Sequence, residues 1–196
     1  MRLKLKNRYF LLRHGKTTQQ KLKKGIIYPP IEKQGNIELL SESKEKLKKI
    51  AKKIKKEKID LIYCSDILRT RQTAEIVSKE LGIKKINLDK RLRDTNLGIF
   101  HNRCKKEFYK FVGYKNRKFS TKIPKGENWN DLEKRTKKFL KDIDKKYQNK
   151  RILVVGHGDP LWMLDGILRG LNQQQLLDEI FVKKNFIGFA EFRKIN

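Results

Sequence analysis

Tyr9-Phe10-Leu11-Leu12-Arg13-His14-Gly15 and Ile152-Leu153-Val154-Val155-Gly156-His157-Gly158 share one plan: an apolar, strand-like run closed by histidine and glycine. In an open α/β sheet, ligands bind in the crevice outside the carboxyl ends of the strands. Two imidazoles delivered to that edge from distant parts of the chain point to one shared site. Arg13, beside the first histidine, suits that site to an anion and to histidine chemistry.

The 196 residues are enough for one domain of ordinary size, spanning 1–196, with a full core. Hydrophobic residues make up only 37%, but they gather into short runs, as in a folded domain with a heavily charged surface. No apolar stretch approaches the length of a membrane span, so no membrane association is expected. The N-terminus alternates Arg2, Lys4 and Lys6 with single leucines and shows no secretory apolar region. Cys64 and Cys104 have no metal-ligand spacing, and the expectation is a cytoplasmic protein with reduced thiols.

A net charge of +28 raises the question of a polyanionic partner. The excess is mostly lysine rather than the arginine that dominates bidentate phosphate and base recognition. The lysines run along the whole chain, and no nucleic-acid motif accompanies them, so the composition argues against specific nucleic-acid binding. The charge would still hasten arrival of an anionic substrate. Oligomeric state is left open.

Strand-like and helix-like stretches alternate, which predicts an α/β fold with a mostly parallel sheet between helical layers. A first strand near 8–13 leads into a polar loop through Gly25, Pro29, Pro30 and Gly35. Ser41 then reads as the N-cap of a helix carrying Leu47, Ile50, Ala51 and Ile54 at helical spacing. Residues 60–64 read as a buried strand, and Ser65 or Asp66 as the cap of a helix that ends at Gly82. Ile86 and Leu88 mark a further short strand. Residues 95–125 are irregular apart from a helical piece around 108–112, and such a long connection suits a lid or specificity element. A helix from about Glu127 to Tyr147 precedes the strand 151–156, and Asp159 with Pro160 reads as the cap and first turn of the next helix. The stretch Phe186–Phe192 would add an antiparallel edge strand.

A cluster of Arg13, His14, His157 and an arginine from the 65–72 turn could bind and transfer a phosphoryl group. Arginine presents a planar fork that matches phosphate oxygens. Helix N-termini nearby add N–H groups and a positive dipole end. A neutral imidazole can attack phosphorus and split one hard displacement into two easier steps. The cations stabilise charge on the transferring oxygens, and a carboxylic acid is needed to protonate the leaving alkoxide. No motif asks for a metal or another cofactor, so none is expected.

These residues resemble the histidine phosphatase superfamily, the phosphoglycerate mutase-like proteins. Arg13-His14-Gly15-Lys16-Thr17 is similar to its RHGxT signature, and Ser65 to Ala74 to its SxLxRxxQTA segment. Leu92-Arg93-Asp94 with Gly98 stands in the place of its LxE…G stretch, Pro124 to Glu127 resembles PxGE, and Val155 to Gly158 resembles the second-histidine motif. The five occur in family order from residue 8 to about 192. The resemblance implies a three-layer α/β/α sandwich, mostly parallel with one antiparallel edge strand. It makes His14 the nucleophile, with Arg13, Arg69 and His157 binding the phosphoryl group. Asp94 takes the place of the general acid. Gly15, Lys16, Thr17 and Gly158 would line the phosphate loop. The motif spacing selects Arg69 over Arg71, which is left to the surface.

Three departures matter. Aspartate at position 94 is one methylene shorter than the commoner glutamate. Asp159 is a rival acid, ranked second because a helix cap explains it. Phe100-His101-Asn102 replaces an aromatic-Glu-Gly, leaving His101 as a solvated or substrate-edge residue. Residues 21–40, after a Gln20 that stands where asparagine is common, depart furthest, so the resemblance assigns no substrate contacts there. The leading expectation is a metal-independent phosphatase acting on a small phosphorylated substrate. Phosphoglycerate mutase-type transfer is the alternative, and a non-catalytic phosphate-ligand or nucleic-acid binder is the second.

Overall fold

The computed structural model describes residues 4–23, 25–113 and 118–195; Arg2 and residues 114–117 of the 95–125 segment lie outside the described residues. Five strands, β1 (Arg8–Arg13), β2 (Leu61–Cys64), β3 (Ile86–Leu88), β4 (Arg151–Gly156) and β5 (Phe192–Lys194), form one sheet in the order β3-β2-β4-β1-β5. All neighbours are parallel except β5, which runs antiparallel to β1.

Alternation along the strands explains the layering, because successive side chains leave a strand on opposite faces. Tyr9 and Leu11 of β1, Tyr63 of β2, and Ile152 and Val154 of β4 pack on one face. There they meet α5 (Trp129–Lys146), α6 (Gly158–Arg169) and α7 (Gln173–Phe181) through Leu132, Phe139, Trp162 and Leu176. Phe10, Leu12, Ile62, Cys64, Leu153 and Val155 point the other way, onto Leu47 and Ala51 of α2 (Ser41–Ile54) and Ala74 and Val77 of α3 (Leu68–Leu81). Apolar runs with no polar alternation are what a strand covered on both faces requires. Full burial of each such side chain contributes roughly 1.5–3 kcal/mol.

The described residues also form two short α-helices, α1 (Thr18–Leu22) and α4 (Lys105–Val112). Neither α1 nor α7 stands out in the hydrophobic pattern. Phe100, Val112 and Ile123 of the 95–125 segment pack with Ile27 in a small separate core.

Several sequence expectations are corrected at element ends. Ser41 is the first helical residue of α2, with Leu40 as its cap. Ile67, not Ser65 or Asp66, caps α3; Asp66 instead makes a two-pronged pair with Arg93 at 2.7 and 2.5 Å. His157 caps α6, so Asp159 lies inside the first turn and its carboxylate is free for other partners. The edge strand begins at Phe192 rather than Phe186, because Ile187 and Phe189 before it turn onto Arg13 and His14. α5 starts at Trp129 rather than Glu127, capped by Asn128, whose side chain accepts from Asp131 N–H.

Gly98 holds the 95–125 segment in place. Its φ is +53°, and a Cβ there would strike the carbonyl of Pro124 and the backbone around Gly126. Gly98→Ala therefore combines a left-handed backbone with a backbone clash, and should cost about 2 kcal/mol or more. Gly35→Ala, with nothing near the added carbon, should be close to neutral. Thermal melts of the two variants check this; equal melting temperatures would contradict it.

Candidate active site

The register of the two central strands brings the histidines together. Arg13 pairs with Gly156, so the next residue on each strand, His14 and His157, emerges at the same sheet edge. Their ring centroids are 5.2 Å apart. The His14 amide donates to the Gly156 carbonyl at 3.1 Å, and its carbonyl accepts from Ala190 N–H at 3.1 Å, which clamps the turn.

The tautomer of His14 follows from its partners. Nδ1 lies 2.7 Å from the Gly15 carbonyl, which can only accept, so Nδ1 carries the proton. Nε2 is left with its lone pair, toward which Arg69 Nε points from 3.3 Å. Burial, reinforced by Arg69 and Arg13, holds this imidazole well below the ordinary histidine range. The ring is therefore neutral at pH 7.

Arg69, in the first turn of α3, is completely buried. Besides His14, it donates to Gln34 Oε1 at 2.5 Å and to Asp94 Oδ2 at 3.4 Å, and its guanidinium stacks 4.1 Å from the Tyr28 ring. Arg13 donates to the Ile187 carbonyl at 2.7 Å and lies 4.0 Å from the Phe189 ring. Burial lowers both guanidinium groups from their ordinary value, yet an arginine side chain stays protonated. Each is a positive charge short of solvent, which an incoming anion would stabilise.

His157 is also held well below its ordinary range, by burial first and then by Arg69, His14 and Arg13. Its Nε2 lies 3.1 Å from Ser65 Oγ. Its Nδ1 is buried with no hydrogen-bond partner, and so is Arg13 Nε. Buried polar atoms are normally paired, and orphans need an explanation. Both belong to residues of one cluster, and a phosphate oxygen would satisfy them.

Asp94 closes the cluster. Oδ1 accepts from Thr95 N–H at 3.1 Å, while Oδ2 faces Arg69 and lies 3.8 Å from His157 Nδ1. Its side chain is 34% exposed, so it is reachable from one side. Burial, with Asp159 nearby, pushes this carboxyl above the ordinary carboxylate range despite Arg69 and Arg13. The Asp94 carbonyl accepts from Arg135, which also forks onto Glu127 at 2.9 and 2.7 Å.

The structure thus gathers Arg13, His14, Arg69, Asp94 and His157. Gly15 lies buried against Ser43 and Leu47, and Gly158 has no room for a Cβ beside the Phe186 ring and the Arg13 guanidinium. Thr17 is buried with its hydroxyl already committed to Gln20 at 2.7 Å and Tyr28 at 2.8 Å. Lys16 is exposed and lines a cavity of about 470 Å³ with Gln19, Lys21, Tyr28 and Phe189. Arg71 is exposed. His101 ties two loops, with ring nitrogens 2.8 Å from the Tyr28 carbonyl and 2.9 Å from Asn96 Oδ1, and lines an open cavity of about 790 Å³ with Arg93, Asn96 and Lys125. Sequence reasoning missed Tyr28, Gln34 and Phe189. They come from loops without periodicity or motif, and only tertiary packing sets them against the arginines.

Among the described residues, no group of three or more His, Cys, Asp or Glu could hold a metal ion, and no helix is long and apolar enough to cross a membrane.

Known proteins resemble this chain in sequence and in fold. The family model of the histidine phosphatase superfamily (branch 1) matches residues 9–182. A probable phosphoglycerate mutase, GpmB, of Photorhabdus laumondii is 29% identical over 167 residues, 83% of this chain and 74% of that protein. A putative phosphoserine phosphatase 2 of Hydrogenobacter thermophilus is 30% identical over 133 residues, 65% of this chain and 64% of that one. A mycobacterial glucosyl-3-phosphoglycerate phosphatase solved with VO3 superposes with a TM-score of 0.77 at 22% identity, covering 95% of this chain and 91% of its own. An Entamoeba histolytica phosphoserine phosphatase mutant in complex with phosphoserine gives 0.74 at 22%, covering 95% and 88%. At such identities the solved structures share the fold.

The neutral histidines make stability depend on pH. An unfolded histidine takes a proton near pH 6.5, and the fold holds both of these below that. Below about pH 6.5 the unfolded chain therefore binds more protons, and each histidine removes up to about 1.4 kcal/mol of stability per pH unit. Melting temperature should fall between pH 7 and 5. In a His14→Asn, His157→Asn double variant the fall should be shallower; an unchanged slope would assign the loss to other groups.

Proposed function

This chain belongs to the histidine phosphatase superfamily, branch 1, and we propose that it is a phosphatase, hydrolysing a small phosphate monoester through a phosphohistidine on His14 without a metal. The observation that carries this reading is the His14 Nε2 lone pair, set by the Gly15 carbonyl, in a pocket where Arg13 Nε and His157 Nδ1 are buried and unpartnered. A site for an uncharged ligand would have no use for two desolvated guanidinium groups around a neutral imidazole.

In the first step, Nε2 attacks phosphorus and forms an N–P bond as the ester P–O bond breaks. Arg13 and Arg69 meet the charge on the phosphoryl oxygens, and His157 donates through Nδ1. Asp94, whose raised carboxyl keeps a proton to higher pH than an ordinary aspartate, gives it to the departing alkoxide. In the second step the Asp94 carboxylate takes a proton from water, the oxygen attacks phosphorus, and the N–P bond breaks to release inorganic phosphate. His14 and Asp94 return to their starting states. Gly158 supports the reading by letting the start of α6 approach the phosphate position, and Lys16 by offering a cation at the mouth. With Thr17 bound to Gln20 and Tyr28, its contribution is to shape the loop.

A second reading, transfer between hydroxyls of phosphoglycerate, is favoured by the relatives named as probable phosphoglycerate mutases. Product analysis separates the two, since hydrolysis releases phosphate and transfer converts 3-phosphoglycerate into 2-phosphoglycerate.

His14→Ala should lower phosphate release from an aryl phosphate by at least about a thousandfold. Acid quenching of the wild type in turnover should trap an acid-labile phosphate mapping to His14, and activity should persist in EDTA. A label on another residue, or full activity in His14→Ala, would overturn the phosphohistidine reading.

A further inference from the structure

We propose that Asp159 is a positioning residue for Asp94, acting through Thr95 to hold the carboxyl of the shortened acid in place. The proposal rests on the phosphohistidine reading above, in which Asp94 is the proton donor.

Asp159 is the second residue of α6 and caps nothing. Its Oδ2 accepts two hydrogen bonds, from Thr95 Oγ1 at 3.1 Å and from Trp129 Nε1 at 3.3 Å. Trp129 is itself fixed in the core, with ring centroids 4.6 Å from Trp162 and 5.3 Å from Phe119. On its other side, Thr95 donates its backbone N–H to Asp94 Oδ1 at 3.1 Å. The chain Trp129–Asp159–Thr95–Asp94 thus ties the reactive carboxyl to the helical layer. Oδ1 is held by the Thr95 N–H, and Oδ2, 3.4 Å from Arg69 and 3.8 Å from His157 Nδ1, is the oxygen turned into the cluster.

Reach and charge both call for such a device. An aspartate projects one carbon less than a glutamate, so the backbone must carry the carboxyl to the site. Arg135 on the Asp94 carbonyl and Asp159 on Thr95 hold that backbone from two directions. Among the described residues, Arg69, Arg13, His157 and Asp159 face the Asp94 carboxyl, Arg135 binds its carbonyl, and Lys118 and Tyr109 face Asp159 from its other side. Asp159 is the one anion among the four facing the carboxyl. The arginines draw the proton off Asp94 and Asp159 opposes them, while the N-terminal turn of α6 suits the negative charge of Asp159 itself. Two carboxylates in different surroundings then take different roles.

Two variants separate geometry from charge. Asp159→Asn keeps an oxygen for Thr95 and Trp129 but removes the charge; Thr95→Val keeps the shape but removes the hydroxyl. The readout is kcat/KM against pH for p-nitrophenyl phosphate, whose leaving group needs little protonation, and for glycerol 2-phosphate, whose leaving group needs a proton. Both variants should lose about tenfold or more on the alkyl ester and stay within about threefold on the aryl ester. In Asp159→Asn the alkaline limb of the alkyl profile should also move to lower pH, because the acid gives up its proton earlier. Equal losses on both esters, or an unmoved alkaline limb with melting temperatures preserved, would overturn the proposal. So would a rise in KM for the alkyl ester at constant kcat, which would make Asp159 a substrate contact. A wild type that never phosphorylates His14 would bring down the phosphatase reading first, and this proposal with it.

Discussion

Arg69 is a guanidinium taken wholly out of water, and burying a charge is costly unless hydrogen bonds and an opposite charge surround it. Its fixed surroundings are one partly exposed carboxyl group, one amide oxygen, an aromatic face and the lone pair of His14. That set satisfies the geometry of the guanidinium without fully neutralising it. The positions of His14, Gln34, Tyr28 and Asp94 are all conditions for keeping Arg69 where it is. The residual positive charge is what makes the pocket a place for a phosphoryl group.

The same burial acts on the imidazoles in the opposite sense. A low-dielectric site beside two cations keeps both histidines unprotonated, so His14 presents a lone pair without a neighbouring base to activate it. Asp94 is handled by the same physics: enclosure and a nearby anion favour its uncharged form. One environment thus prepares a nucleophile, a donor and an acid, and it is built mainly by excluding water. The ion pairs Arg93–Asp66 and Arg135–Glu127 then hold the acid's loop against the sheet edge.

Much of this was legible in the chain itself. Strands closed by His14-Gly15 and His157-Gly158 could be read from unbroken apolar runs, because a parallel strand packed on both faces leaves no polar alternation. Leu47, Ala51 and Ile54 announced the buried side of α2 by helical spacing. Helix starts were read less well. Ser65, Asp66 and Asp159 have the composition of caps, yet they serve His157, Arg93 and Thr95, because a partner distant in sequence offered each a better-placed bond.

What the sequence determined alone is the chemistry at the strand ends: which imidazoles and arginines are present, and that local pattern sends them to one edge of a sheet. Local pattern is enough for that, since strand alternation and an abrupt Gly turn are properties of a few consecutive residues. The tertiary structure alone decided the burial of His14 beside Arg69, the orphaned atoms of Arg13 and His157, and the path from Trp129 to Asp94. Those depend on distances between residues tens of positions apart, and desolvation exists only once the layers have closed over the site.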